Sequence, residues 1–245
     1  MAHYYCVLFD LDNTLLDFDM AEQKALAQTL VDSGIEASHQ NMECYRELNE
    51  GLWKQLEKGQ IRRDKISTER FVRFLKQNNL QGDSIAMSHA YHDNLAMQGC
   101  TMPDAADVLR ELSEVATIAI ASNGFEKVQM SRLAASGLEP YIEASFISEK
   151  LGVDKPNSKF FDIALNELGI EQRVNVLMVG DRLASDIKGG ENARIATCWY
   201  NPEGSENKTN VTPTHEISQL TDLYKIVMEA DELEKIGIKN RKHSI

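Results

Sequence analysis

The chain has 245 residues, 42% of them apolar, and a formal net charge of −12 from 26 basic and 38 acidic residues. That length admits one large domain, or a domain with a smaller one inserted in it. The acidic balance argues against nonspecific binding to nucleic acid or to anionic membrane surfaces, and any anionic substrate must meet a locally positive site.

The first apolar run, residues 4–9, reads as a strand and stops abruptly at Asp10-Leu11-Asp12-Asn13-Thr14. Two carboxylates at a strand end are costly to bury unless a cation pairs with them. Residues 17–98 follow as polar-periodic helical sequence punctuated by Gly34, Gly59 and Gly82. Leu26, Leu30 and Val31 mark one apolar face; Leu48, Leu52 and Leu56 a second; Phe71, Phe74 and Leu75 a third; Ile85, Tyr91 and Leu95 a fourth. Eighty residues exceed a crossover loop, so this stretch reads as an inserted helical bundle capping the strand edge. Trp53 and Phe71 lie on apolar faces and are expected in the core more than against a ligand.

Beyond the insert, strands are predicted at 117–121, 144–147, 174–179 and 195–200, with helices at 104–113, 125–136, 158–168 and 183–192. Alternation of this kind predicts an α/β fold with a mostly parallel sheet and helices on both faces. The catalytic core then comprises 1–16 and 99–232, and 233–245 is a charged tail. Parallel strands present their carboxyl ends on one edge, so the polar residues that end them converge.

Asp10 and Asp12 can reach one reacting centre. One carboxylate attacks phosphorus; the other gives a proton to the leaving oxygen and later takes one from water. The same residues equally suit a structural Asx turn, with Thr14 as a turn residue or as a hydroxyl for Asp12 or substrate. Ser122-Asn123-Gly124 offers a hydroxyl, an amide and backbone N–H groups for a phosphoryl oxygen, or else a helix N-cap. Lys155, held by Pro156, is a surface loop lysine or a cation that balances a nucleophile and a phosphoryl group. Asp181 ends an apolar strand and suits Mg2+, a hard cation taking oxygen ligands. Asp186 either matches a helix N-terminus or orients Asp181, Lys155 or a metal-bound water. Each cluster is ambiguous alone. Together, in this order at strand ends, they supply a nucleophile, an acid/base, phosphate donors, a cation and metal ligands.

As a set, Asp10-x-Asp12-x-Thr14, Ser122, Lys155-Pro156 and Gly180-Asp181-x4-Asp186 resemble the haloacid dehalogenase superfamily, in its metal-dependent phosphatase branch. The resemblance spans nearly the whole chain. It implies a Rossmann-like core with a helical cap after the first motif, and Mg2+ as cofactor. It implies Asp10 as nucleophile and Asp12 as acid/base whose backbone carbonyl also binds metal. Thr14, Ser122, Asn123 and Lys155 would face the substrate phosphate, Asp181 would ligate the metal, and Asp186 would support it directly or through water. Asn49-Glu50-Gly51-Leu52-Trp53, the run from Asp186 to Ala193 and Thr197-Cys198-Trp199-Tyr200-Asn201-Pro202 resemble the 5′-nucleotidases of pyrimidine nucleoside monophosphates. Arg194 departs from that pattern, which has glycine there, and is expected to reshape the turn before the last predicted strand.

A sugar-phosphate or acylneuraminate-phosphate phosphatase shares most of these residues. A phosphomutase and a 2-haloacid dehalogenase, which attacks carbon without metal, are further alternatives. A binding protein on a disabled fold is disfavoured because every catalytic position is filled. The expected partner is a small phosphomonoester, with no nucleic-acid polymer and no membrane, and the chain is expected to be a monomer or homodimer. Four widely spaced cysteines match no zinc pattern and read as free thiols. The carboxylates begin ten residues in, which leaves no cleavable leader, so a cytoplasmic location is expected.

Overall fold

The structure, a computed structural model, describes residues 4–228; the predicted charged tail at 233–245 lies outside the described residues. Strands and helices alternate from the second strand to the fifth, and the described residues form one six-stranded sheet. The strands are β1 (Cys6–Phe9), β2 (Thr117–Ser122), β3 (Ala144–Ile147), β4 (Val176–Gly180), β5 (Ala196–Tyr200) and β6 (His215–Ile217). All pair in parallel, in the order β3-β2-β1-β4-β5-β6. A parallel sheet must be covered on both faces, and β1 at its centre has no exposed side chain. Alternation along β1 sends Cys6 and Leu8 to one face and Val7 and Phe9 to the other.

The α-helices of the described residues are α1 (Phe18–Asp32), α2 (His39–Glu57), α3 (Arg63–Gln77), α4 (Ser84–Ala96), α5 (Ala105–Ser113), α6 (Glu126–Ser136), α7 (Ser148–Leu151), α8 (Ser158–Glu167), α9 (Lys188–Ala193) and α10 (Leu223–Val227). Val7 and Phe9 pack with Leu109 and Leu112 of α5 and Leu223 and Val227 of α10. Cys6 and Leu8 pack with Phe160, Phe161 and Leu165 of α8 and Ala193 of α9. The architecture is a three-layer, Rossmann-like α/β fold. Among the described residues, no helix is long and apolar enough to cross a membrane, and the four cysteines are free thiols.

α1 to α4 all lie between β1 and β2. Asp17, Ser38 and Asp83 cap α1, α2 and α4 by accepting from backbone N–H groups two or three residues on. These helices enclose their own core around Tyr45, Phe71, Phe74 and Tyr91. Two of the predicted apolar positions point the other way: Val31 is 60% exposed and Ile85 58%. Both lie just off the stripe that carries Leu26 and Leu30, or Tyr91 and Leu95, so a purely compositional face was drawn too wide.

Three further expectations are corrected. The strand predicted from 174 starts at Val176, because Arg173–Asn175 forms a tight 3-10 turn that leaves Val174 exposed. The helix predicted at 183–192 is a π-helical turn, Leu183–Ile187, followed by the short α9. β6 was missed, since three residues carry too little alternation to be read as a strand. Arg194, expected to reshape the turn before β5, leaves that turn closed. It adopts the left-handed conformation itself (φ 58°), and its N–H reaches back to the carbonyls of Glu191 and Gly190. Glycine takes that conformation without steric cost, which is why arginine is unusual there.

A polar network crosses the insert's core. Asn49 donates to Glu22 Oε1 at 2.7 Å, Arg70 reaches Asn49 Oδ1 at 3.4 Å, and Arg70 donates to His92 Nε2 at 2.6 Å. Burial pulls His92 down to about 4, so its ring is neutral and accepts that bond. Burial likewise pushes Glu22 up to about 7, although Asn49 and Arg70 oppose the rise. An unfolded glutamate titrates near about 4.3. Between those values the folded chain holds a proton the unfolded chain has released, so stability falls as pH rises toward and through about 7. Glu22→Gln is expected to flatten the decline in melting temperature between pH 6 and 8; an unchanged slope in pH-resolved melts contradicts this.

Candidate active site

The strand order reverses direction on either side of β1 and β4, and a crevice opens beyond their carboxyl ends. Phe9 sits beside Val179 in register, and the Asp10 N–H donates to the Val179 carbonyl at 2.8 Å. Asp10 therefore leaves β1 next to the point where Asp181 leaves β4. Ser122 closes β2 on the other side of β1, and the loop after α7 brings in Lys155.

Lys155 is 2% exposed, and its ammonium has three partners: Asp10 Oδ1 at 2.6 Å, Asp186 Oδ1 at 2.6 Å and the Ala121 carbonyl. Burial alone would pull this amine down; Asp10 and Asp186 outweigh it and leave the amine raised, so it stays charged. Asn123 fixes the lysine from behind. Its amide donates to the Lys155 carbonyl at 2.8 Å and accepts from the Lys155 N–H at 2.9 Å. The Asn123 side chain thus faces the lysine's backbone.

Asp10, Asp181 and Asp186 each place a carboxylate oxygen within 4.8 Å of the other two. Asp186 is oriented by the Arg182 N–H, at 3.0 Å from its Oδ2, across the π-helical turn. It also packs so closely on Gly180 that a Cβ there would lie 2.3 Å from Oδ2. Asp181 Oδ1 is buried without a hydrogen-bond partner among the described residues. Burial, then repulsion from Asp10 and Asp186, pushes the Asp181 carboxyl well above the usual range. Burial raises Asp10 too, with Lys155 opposing the shift. Three carboxylates facing one ammonium leave this corner short of positive charge. An all-oxygen donor set with an unpartnered buried oxygen fits a hard divalent cation.

Asp12 lies two residues on, at the rim. Gln129 of α6 donates to Asp12 Oδ2 at 2.7 Å and to Ser122 Oγ at 2.9 Å, and Arg132 of α6 donates to Asp12 Oδ1. The Gly124 N–H also donates to Ser122 Oγ, at 3.2 Å, so that hydroxyl accepts twice and its proton is free to donate elsewhere. Thr14 is fully buried, and its hydroxyl has no hydrogen-bond partner among the described residues. The sequence reading missed Gln129 and Arg132. Their signal was there: both fall on the buried stripe of α6 with Val128 and Leu133, where a polar residue needs a partner.

A cavity of about 600 Å³ lies over these groups, with Asp10, Asp12, Ser122 and Lys155 on one side and Phe18, Trp53 and Leu56 of the insert on the other. Phe71 is fully buried in the insert's core, as expected, whereas Trp53 is only half-buried and forms part of the cavity wall. Arg63, also missed, bridges the two parts. It stacks over Trp53 at 5.6 Å, donates to the Asn123 and Gly124 carbonyls, and pairs with Asp154. A second cavity of about 770 Å³ shares Asn13 with the first and has Asp181, Asn201 and Glu22 on its wall.

A family model described as haloacid dehalogenase-like hydrolase matches residues 4–194. The pyrimidine 5′-nucleotidase PynA of Streptococcus pneumoniae is 39% identical over 234 residues, covering 95% of this chain and 98% of the relative. The pyrimidine 5′-nucleotidase YjjG of Escherichia coli is 34% identical, covering 90% and 96%. Among solved structures, the magnesium-bound HAD-hydrolase YfnB of Bacillus subtilis superposes with a TM-score of 0.87 at 34% identity, covering 91% of this chain and 98% of that one. The matched span contains the strand-end aspartates, Ser122 and Lys155, and the chain belongs to the haloacid dehalogenase-like hydrolase family.

Proposed function

We propose that this protein hydrolyses phosphate monoesters through an aspartyl-phosphate on Asp10, with Mg2+ as cofactor and pyrimidine nucleoside monophosphates as the substrate class. The observation that carries the reading is the contact of Asp10 with buried Lys155 on the floor of a cavity whose rim bears a second carboxylate, Asp12. Lys155 favours the ionised, attacking form of Asp10. As Asp10 bonds to phosphorus, the ester oxygen leaves and takes a proton from Asp12. Asp12 then accepts a proton from the water that cleaves the acyl phosphate, and both carboxylates return to their starting states. In this reading the Ser122 hydroxyl, which accepts from Gly124 and Gln129 and keeps its proton free, donates to a phosphoryl oxygen.

Asp10, Asp181 and the Asp12 carbonyl would hold the Mg2+, with Asp186 in support. When bound, the ion offsets charge on the phosphoryl oxygens. The relatives named as pyrimidine 5′-nucleotidases support the substrate class, and Trp53 supplies an aromatic surface across the cavity from the phosphate-facing groups. The helical insert acts as a cap that shields the reacting centre from bulk water.

Asp10→Asn is expected to abolish turnover of p-nitrophenyl phosphate while circular dichroism and melting stay native-like; normal hydrolysis by that variant overturns the reading. Chelation with EDTA should remove activity and Mg2+ restore it. Asp181→Asn should raise the Mg2+ concentration for half-maximal rate by about tenfold or more. In a screen of nucleotides and sugar phosphates, UMP, dUMP and dTMP should lead. Trp53→Ala should lower kcat/KM for them by about 5- to 100-fold, the range of base–aromatic stacking, and leave ribose 5-phosphate nearly unchanged. Strong sugar-phosphate turnover with no response to the three nucleotides rejects the substrate class.

A further inference from the structure

Arg132 is among the largest side chains with no exposed surface in the described residues. Burying a guanidinium costs several kcal/mol unless its donors are satisfied. Here the satisfaction is incomplete: Nη2 has no hydrogen-bond partner among the described residues. An apolar side chain would serve the packing of α6 better, so the arginine is a poor choice for stability alone.

What it touches is specific. Nη1 donates to Asp12 Oδ1 and, at 3.0 Å, to Gln129 Oε1. Nε reaches the Gln98 carbonyl at 3.3 Å, and the guanidinium lies 5.5 Å from the Phe18 ring centroid. Phe18 opens α1 and Gln98 follows α4, so Arg132 contacts both segments by which the chain enters and leaves the insert. Gln129 completes the grip by donating to Asp12 Oδ2 and to Ser122 Oγ. Both oxygens of Asp12 are thus held from α6. Each carboxyl oxygen offers two lone-pair directions, and α6 occupies one per oxygen. The Asp12 side chain is 32% exposed and lines the cavity, so the carboxyl is open to the substrate space while held from α6.

We infer that Gln129 and Arg132 are positioning residues for Asp12: they fix the orientation in which it transfers its proton, and Arg132 ties that orientation to the base of the insert. The inference rests on the reading of Asp12 as proton donor. In that step the Asp12 O–H bond breaks and an O–H bond forms on the leaving oxygen, while the P–O bond to that oxygen breaks and Asp10 bonds to phosphorus. Arg132 keeps its protons throughout: it holds the carboxyl in place, and its charge stabilises the carboxylate left once the proton has departed.

A leaving-group series tests this. Values of kcat/KM, which report transfer of the phosphoryl group to Asp10, are measured at saturating Mg2+ for 2,4-dinitrophenyl, p-nitrophenyl, phenyl and ethyl phosphate. A dinitrophenolate departs without a proton; an ethoxide requires one. Asp12→Asn sets the reference, with little loss on the first ester and about 10²- to 10⁴-fold on the last. Arg132→Lys and Gln129→Met are expected to follow the same slope more gently, losing about tenfold or more on ethyl phosphate and under about threefold on the dinitrophenyl ester. Phe18→Leu should show the slope in weaker form. Equal losses across the series for the α6 variants, or none, overturn the positioning role, and a flat Phe18→Leu profile overturns the tie to the insert. If Asp12→Asn is itself flat, the proton-donor reading has failed and the inference falls with it; if Asp12→Asn alone slopes, only the inference has failed. Melting curves accompany each variant, and should Arg132→Lys not fold, Gln129→Met decides.

Discussion

The site is organised by one buried ammonium group. Lys155 lies within 2.6 Å of both Asp10 and Asp186, almost wholly out of water, and neither carboxylate is stable there without it. Much of the nearby chain serves to place that group. Asn123 fixes its backbone with a paired amide contact, Asn192 of α9 donates to the Pro156 carbonyl, and the Ala121 carbonyl takes the third ammonium proton. Removal of the lysine leaves two carboxylates facing one another in a medium that screens poorly. The lysine does not close the account, because Asp181 adds a third carboxylate with an unpartnered oxygen.

Much of this was legible in the sequence because strand ends in a parallel sheet are forced together. Asp10, Ser122 and Asp181 needed only correct strand assignments to be placed on one edge. Lys155, in a loop, and Asp186, on a π-helical turn, needed more, and there the family resemblance of the motifs supplied what hydrophobic pattern could not. The insert's helices were visible through their period and glycine punctuation. Its polar network was not: Glu22, Asn49, Arg70 and His92 are dispersed over seventy residues, and nothing local shows that they meet.

The failures share a cause. Val31, Ile85 and Trp53 are large apolar residues on helices, yet two face solvent and one faces the cavity. Amphipathic pattern sorts residues by face but does not say what covers the face. Gln129 and Arg132 are the converse, polar residues on a buried stripe, and their purpose becomes visible only when Asp12 is seen opposite them. The positive φ at Arg194 shows that a backbone conformation can persist where the residue best suited to it is absent.

Arg63 gives the insert a hold on the chemistry that does not pass through the substrate. Its guanidinium stacks on Trp53 and binds the carbonyls of Asn123 and Gly124 and the carboxylate of Asp154. Those are the turns that carry Ser122 and lead into Lys155. A molecule too bulky to sit beneath the insert would have to lift it, and lifting it breaks bonds to the loops that line the cavity. Size selection in such an arrangement acts on the shape of the cavity floor as well as on binding, because a poor fit loosens the loops that carry Ser122 and Lys155.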